Sequence, residues 1–222
     1  MIPRNYISVQ RRVAEAVSAR LHYDYLCFKG RMMDEAYLVQ SVADILGAFF
    51  DQQTFEIRKN YVHPYLDGGG KGRKPEIDYA VIHRQSNTIQ MAIEAKWAGS
   101  SHCTPENILW DLMRLKILRD SNPSCIGAFL IAGHKNKMDK CFGAPFFAPG
   151  TQHPLQHGNP RKKIFSLIAN RDHQPFITAQ TNIWIHKYPS LVIAPSLTTV
   201  LEDPTKSANE INRFTAKTWI VY

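Results

Sequence analysis

Apolar residues recur along the first fifty positions with the spacing of two helices. Val13, Ala16, Val17 and Leu21 keep a 3.6-residue rhythm, and over 34–50 Leu38, Val42, Ile45, Leu46 and Phe49 form one stripe. Asp34 stands where a helix N-cap belongs, and Gly30 separates the two segments. The period then drops to two. Residues 54–62 alternate and are rich in aromatic and branched side chains, and 76–84 and 88–97 read as two more strands joined by the turn Gln85-Ser86-Asn87. A helix follows, with Thr104 as N-cap, Pro105 at its first position and Glu106 in its first turn, running to about Arg119 before Asn122-Pro123. The continuous apolar run 125–132 predicts a strand buried on both faces. Beyond it the pattern weakens. Residues 143–160 read as a long irregular loop, 161–170 as a helix, and 182–186 and 218–222 as strands.

The predicted order is α-α-β-β-β-α-β, an α/β chain with a mixed central sheet flanked by helices. No linker or repeat divides it, so 1–222 reads as one domain, with a core over 34–132 and a C-terminal extension over 133–222. Composition narrows the class. With 11 Phe, 9 Tyr and 4 Trp among 222 residues, the chain carries too much aromatic surface for a solvated coil. No apolar run approaches the ~20 residues of a membrane span. The opening Met1-Ile2-Pro3-Arg4-Asn5 lacks the apolar stretch of a signal peptide, and the four cysteines are scattered without a CxxC. Both features predict a cytoplasmic protein. The formal net charge of +8 points toward a polyanionic partner, nucleic acid above all.

The chemistry concentrates on the hairpin. With a three-residue turn, opposed residues in an antiparallel pair sum to 172, so Asp78 falls opposite Glu94, and Glu76 opposite Lys96. Opposed residues share a face, as do Glu94 and Lys96, two apart on one strand. Three carboxylates and an ammonium thus gather among Ile77, Tyr79, Val81, Ile82, Met91, Ala92 and Ile93. Carboxylates held together among apolar side chains resist ionisation unless a cation joins them. A divalent metal resolves the conflict, and oxygen ligands favour Mg²⁺ or Mn²⁺.

Pro75-Glu76-Ile77-Asp78, fifteen residues, then Glu94-Ala95-Lys96 resembles the PD-(D/E)xK nuclease superfamily, with Pro75 three positions before the Asp instead of adjacent. The predicted element order is likewise similar to a restriction-endonuclease-like core, over about 34–132. The resemblance implies metal binding by Asp78, Glu94 and the Ala95 carbonyl, with Lys96 assisting phosphodiester hydrolysis. It also implies an acidic contribution from the helix before the sheet, which by position is Glu35. The expected activity is a Mg²⁺-dependent deoxyribonuclease, an endonuclease of restriction, defence or repair type, with DNA as partner and a homodimer left open. A non-catalytic nucleic-acid-binding module on the same fold is the alternative. A glycoside hydrolase would use the paired acids but not the adjacent Lys or the basic charge.

Other features carry less. Asp111 and Arg114, three apart on a helix, read as an ordinary surface pair, although the resemblance also leaves Asp111 open as a polar residue near the metal site; Glu35 suits a helix first turn by dipole alone. The run Gly68-Gly69-Gly70-Lys71-Gly72 lacks the spacing of a phosphate-binding P-loop. With Arg58, Lys59, Arg73 and Lys74, its Lys71 puts five cations near the hairpin, suited to phosphate contacts. His134, Cys141, His153 and His157 match no zinc-finger spacing.

Overall fold

The computed structural model describes residues 8–66, 74–143, 146, 153–155, 162–167, 174–202 and 213–222. Its centre is a seven-stranded mixed sheet in the order β1-β2-β3-β4-β7-β6-β5. The chain enters through α1 (Val9–Leu26), a 3₁₀ turn (Lys29–Met32) and α2 (Glu35–Phe49), then runs up and down through β1 (Phe55–Val62), β2 (Glu76–His83) and β3 (Thr88–Trp97). The α3 helix (Pro105–Ser121) carries it across to β4 (Ile126–His134), which lies parallel to β3. After α4 (Lys135–Gly143) come β5 (Lys162–Ser166), α5 (Gln174–Lys187), β6 (Ser196–Glu202) and β7 (Phe214–Val221). Every other strand pair is antiparallel. The α/β class is as the pattern predicts, and no helix among the described residues is long and apolar enough to cross a membrane.

The local signals act where they were read. Asp34 accepts the Tyr37 N–H at 2.8 Å to start α2, and Thr104 accepts the Asn107 N–H at 3.3 Å to start α3. Alternation along β3 sends Met91, Ile93 and Ala95 to the face covered by α1 and α2, and Ala92 to the face covered by α3. Each face is an apolar layer, and each fully buried Leu or Ile in it contributes about 1.5–3 kcal/mol before chain entropy is counted.

The C-terminal third departs from the pattern. The helix expected over 161–170 is instead the edge strand β5 across 162–166, its Phe165 buried and Ile164 exposed, paired to β6. The strand expected over 182–186 lies inside α5, because Ile177, Trp184 and Tyr188 bury one helical face. Both expectations rested on short windows that tertiary pairing overrode. The α4 helix and β6 were not anticipated. Most of the loop expected over 143–160 lies outside the described residues. The C-terminal segment is no periphery either: β7 sits between β4 and β6, buried along its whole length.

Candidate active site

The turn of the β2–β3 hairpin holds four residues, 84–87, because His83 pairs with Thr88, not Arg84. Pairs near the turn sum to 171, one less than expected. A bulge at Gln90 then adds a residue to β3, and the pairs Val81↔Met91, Ala80↔Ala92 and Tyr79↔Ile93 sum to 172. The bulge therefore restores the register that brings Asp78 level with Glu94.

The regular ladder stops at this point. Beyond Tyr79↔Ile93 the strands part, and the Asp78 carboxylate enters the gap, where Oδ2 accepts the Ala95 N–H at 2.7 Å. On the other side the β1–β2 ladder skips the step between Lys59↔Tyr79 and Tyr61↔Ile77, where Asn60 adopts a left-handed backbone with φ 50°. Irregularity on both flanks of Asp78 aims its side chain between strands. In a strand the N–H and C=O of one residue point the same way, so the Ala95 carbonyl is directed toward the Asp78 side as well.

Glu94 and Lys96 face α3, at 0% and 9% exposure. Here the structure corrects the sequence reading. The ladder does not bring Glu76 to Lys96; Glu76 pairs with Val62 of β1. The third carboxylate is Asp111, which is no surface residue at 2% exposure, and Lys96 Nζ stands 2.7 Å from its Oδ2. Arg114, one turn on, also faces inward. Its guanidinium contacts Asp111, donates to the Glu76 carbonyl and lies 3.0 Å from Glu94 Oε1. Burial holds the His63 ring neutral, its pKa pushed down to about 4, and Nε2–H donates to the Arg114 carbonyl at 2.9 Å, tying β1 to α3. Lys217 completes the row Lys96–Ile131–Lys217 across β3, β4 and β7, on the same face and 9% exposed. Lys217 was missed, and Asp111 and Arg114 were read as a surface pair. A signal was present for Asp111, which falls at the helical spacing of the apolar residues Ile108, Leu112, Leu115 and Leu118.

Three carboxylates (Asp78, Glu94, Asp111) thus meet two cations (Lys96, Arg114). Burial first, and Asp111 second, raises Glu94 well above the usual carboxylate range. Burial likewise raises Asp78, against the Ala95 hydrogen bond and Lys96, which lower it. For Lys96 burial favours the neutral amine, but Asp111, with Asp78 and Glu94, outweighs it and holds the ammonium above its ordinary value. Neither Glu94 oxygen receives an aligned hydrogen bond, a rare condition for a buried carboxylate. A cleft of about 380 Å³ opens onto Asp78 and Arg114, bounded by Asn60, Lys74, Trp110, Lys187 and Tyr188.

Other expected residues lie elsewhere. Glu35, at the start of α2, accepts the Ser100 hydroxyl at 2.8 Å beyond the end of β3. Arg58 pairs with Glu56 at 2.8 Å on the outer edge strand, and Lys59 donates to Gln40 at 2.9 Å, so neither lines the cleft. Lys74 does line it, whereas Lys71 and Arg73 lie outside the described residues. Among the described residues no three His, Cys, Asp or Glu side chains are grouped to hold a metal ion. The donor set available to one is the free Asp78 oxygen, the unaligned Glu94 carboxylate and the Ala95 carbonyl, all hard oxygens suited to Mg²⁺ or Mn²⁺.

None of the family models, curated proteins or solved structures compared with the chain matches it.

Proposed function

We propose that the chain is a metal-dependent nuclease that hydrolyses phosphodiester bonds in DNA, on a restriction-endonuclease-like core formed by α2, β1–β3, α3 and β4. The observation that carries this reading is the buried charge cluster of β2, β3 and α3, in which a fully buried Glu94 whose oxygens lack aligned donors lies beside Asp78, Asp111, Lys96 and Arg114. A purely structural network tends to give each buried carboxylate aligned donors, because a buried polar group left without them costs free energy.

Asp78, Glu94 and the Ala95 carbonyl would hold a divalent cation, which supplies Lewis-acid polarisation of a phosphoryl oxygen. The Ala95 N–H fixes the Asp78 carboxylate, so its free oxygen is oriented before substrate arrives. Lys96 keeps its proton at neutral pH, which makes it a donor to the attacking water or to charge growing on the phosphoryl group, not a general base. Asp111 orients that ammonium. Lys74 and Lys187 at the cleft mouth are suited to flanking phosphates.

A second reading has its own support. Arg114 against Glu94 and Lys96 against Asp111 could neutralise most of the cluster internally, as in a non-catalytic nucleic-acid-binding module. Supercoiled plasmid, linear duplex and single strands, each incubated with Mg²⁺, Mn²⁺ or EDTA, separate the two. Metal-dependent cleavage is expected. Salt-sensitive binding with no cleavage under any metal would establish the second reading, and failure to bind at low salt would remove both.

A further inference from the structure

One wall of the cleft at Asp78 is aromatic. Trp110 stands on α3 four residues before Arg114, so the two side chains lie on one side of the helix, and both line the cleft. At the end of α5, Tyr188 follows Trp184 by one turn, its N–H donating to the Trp184 carbonyl at 2.7 Å. The Trp110 ring lies parallel to that of Tyr188, at 10° with centroids 5.4 Å apart, and tilted against Trp184 at 5.0 Å. Trp184 and Tyr188 are buried, at 5% and 3% exposure, whereas Trp110 is half-buried and borders the cleft. Two buried rings thus seat the end of α5 and fix the third at the cleft. Cations flank this wall. Lys187 is exposed, with Nζ 5.5 Å from the Tyr188 ring centroid, and Lys74 borders the same cleft.

An aromatic face beside cationic side chains is the chemistry that holds single-stranded nucleic acid. The charge tracks the phosphates, and the ring stacks a base of any identity. In a duplex the faces of the bases are covered by their neighbours. A ring set in a cleft of about 380 Å³ is therefore reached only by a base that has left the helix. A base stacked on Trp110 belongs to a nucleotide whose phosphate shares the cleft with Asp78 and Arg114. Hydrolysis by the buried charges needs no such ring.

Resting on the nuclease reading of this cleft, we propose that Trp110 is a base-stacking platform and that the substrate is single-stranded DNA, including unpaired stretches within a duplex. Trp110 binds and positions, and takes no part in the bond changes. Trp184 and Tyr188 hold its ring, while Lys187 and Lys74 take flanking phosphates.

Binding to the full chain is followed by fluorescence anisotropy in Ca²⁺ at low salt with three labelled ligands: a short DNA strand, the same sugar–phosphate backbone without bases, and the matching closed-end duplex. The strand should bind ~10-fold more tightly than the baseless backbone. It should also bind more tightly than the duplex, despite the duplex's denser charge. Trp110→Leu should erase the difference between strand and baseless backbone, and Trp110→Phe should keep most of it. A ring that only packs α3 against α5 gives a different result: Trp110→Leu would weaken both ligands equally, and the proposal would fall. Should the leucine variant not fold, the unaltered chain decides alone, because equal binding of strand and baseless backbone overturns the platform. Cleavage in Mg²⁺ separates this from the nuclease reading. Equal rates on single-stranded and fully paired DNA would overturn the proposed substrate and leave the nuclease standing. Base-dependent binding that Trp110→Leu abolishes, with no cleavage under any metal, would support the platform and remove the nuclease.

Discussion

Two clusters of charge on opposite faces of the sheet are built from similar residues and behave in opposite ways. Where α1, the 3₁₀ turn and α2 meet, Asp24 is 4% exposed, yet it accepts from Lys29 at 2.8 Å and from the Tyr37 hydroxyl, with Arg20 Nε 3.6 Å away. Asp44 accepts from Arg20 at 2.7 Å and Gln40 at 2.6 Å. Two acids meet two cations, and both acids are held below their ordinary values, Asp24 by Lys29 and then Tyr37, Asp44 by Arg20. On the α3 face Asp78, Glu94 and Asp111 lie with Lys96 and Arg114, and Asp78 and Glu94 are held above their ordinary values by burial. The first cluster stabilises what surrounds it. The second holds two carboxyls above their ordinary range, one of them without an aligned donor, which is the condition of a site built for something that arrives later.

The contrast breaks most visibly under substitution at Glu94. Glu94→Gln keeps shape but removes the charge a cation needs, so plasmid cleavage should fall by ~10³-fold with the fold intact by circular dichroism. Wild-type-like nicking would make the α3 face as structural as the other. Lys96→Ala comes next, with cleavage down ~10²-fold while Mn²⁺ binding, followed by calorimetry, persists because both carboxylates remain. In the balanced cluster Asp24→Asn should act through stability instead. Urea unfolding should show a loss of about 2 kcal/mol with cleavage per folded molecule unchanged.

The smallest effect is the pH dependence, and its sign differs between the clusters. Asp78 and Glu94 bind protons more tightly in the native state than in the unfolded chain. Their contribution therefore falls as pH rises from the ordinary carboxylate range through their raised native values, by at most ~1.4 kcal/mol per pH unit for each group. Asp24 and Asp44 do the reverse; their stabilisation is full above the ordinary carboxylate range and is lost as pH falls through their lowered native values. Denaturant melts from pH 4 to 8 should show Glu94→Gln flattening the neutral side of the wild-type curve, and Asp24→Asn flattening the acid side. Identical curves for the two variants would erase the distinction.

Much of this region was legible in the residues. Caps at Asp34 and Thr104, alternation in β3 and the apolar run of β4 are local signals, and they placed Asp78, Glu94 and Lys96 on adjacent strands. The register was right for a reason the pattern did not contain, because the longer turn and the Gln90 bulge offset each other. The third carboxylate was misassigned, since a strand model looks for partners across the hairpin, whereas Asp111 reaches Lys96 from a helix in the next layer.

The sequence by itself determined the elements from α1 to β4 and the three charges on the hairpin, because capping, periodicity and the repulsion of buried like charges act over a few residues. Only the tertiary structure decided the rest. The 162–166 segment is a strand because β6 offers it a ladder, and 182–186 is helical because Trp184 and Tyr188 stack against Trp110. Arg114 and Asp111 enter the site because α3 packs its inward side over Glu94. Cys103 and Cys141, thirty-eight positions apart, line one cavity because parallel β3 and β4 bring the loop before α3 beside α4. Contacts between segments distant along the chain depend on how layers pack, and no local window of sequence carries that information.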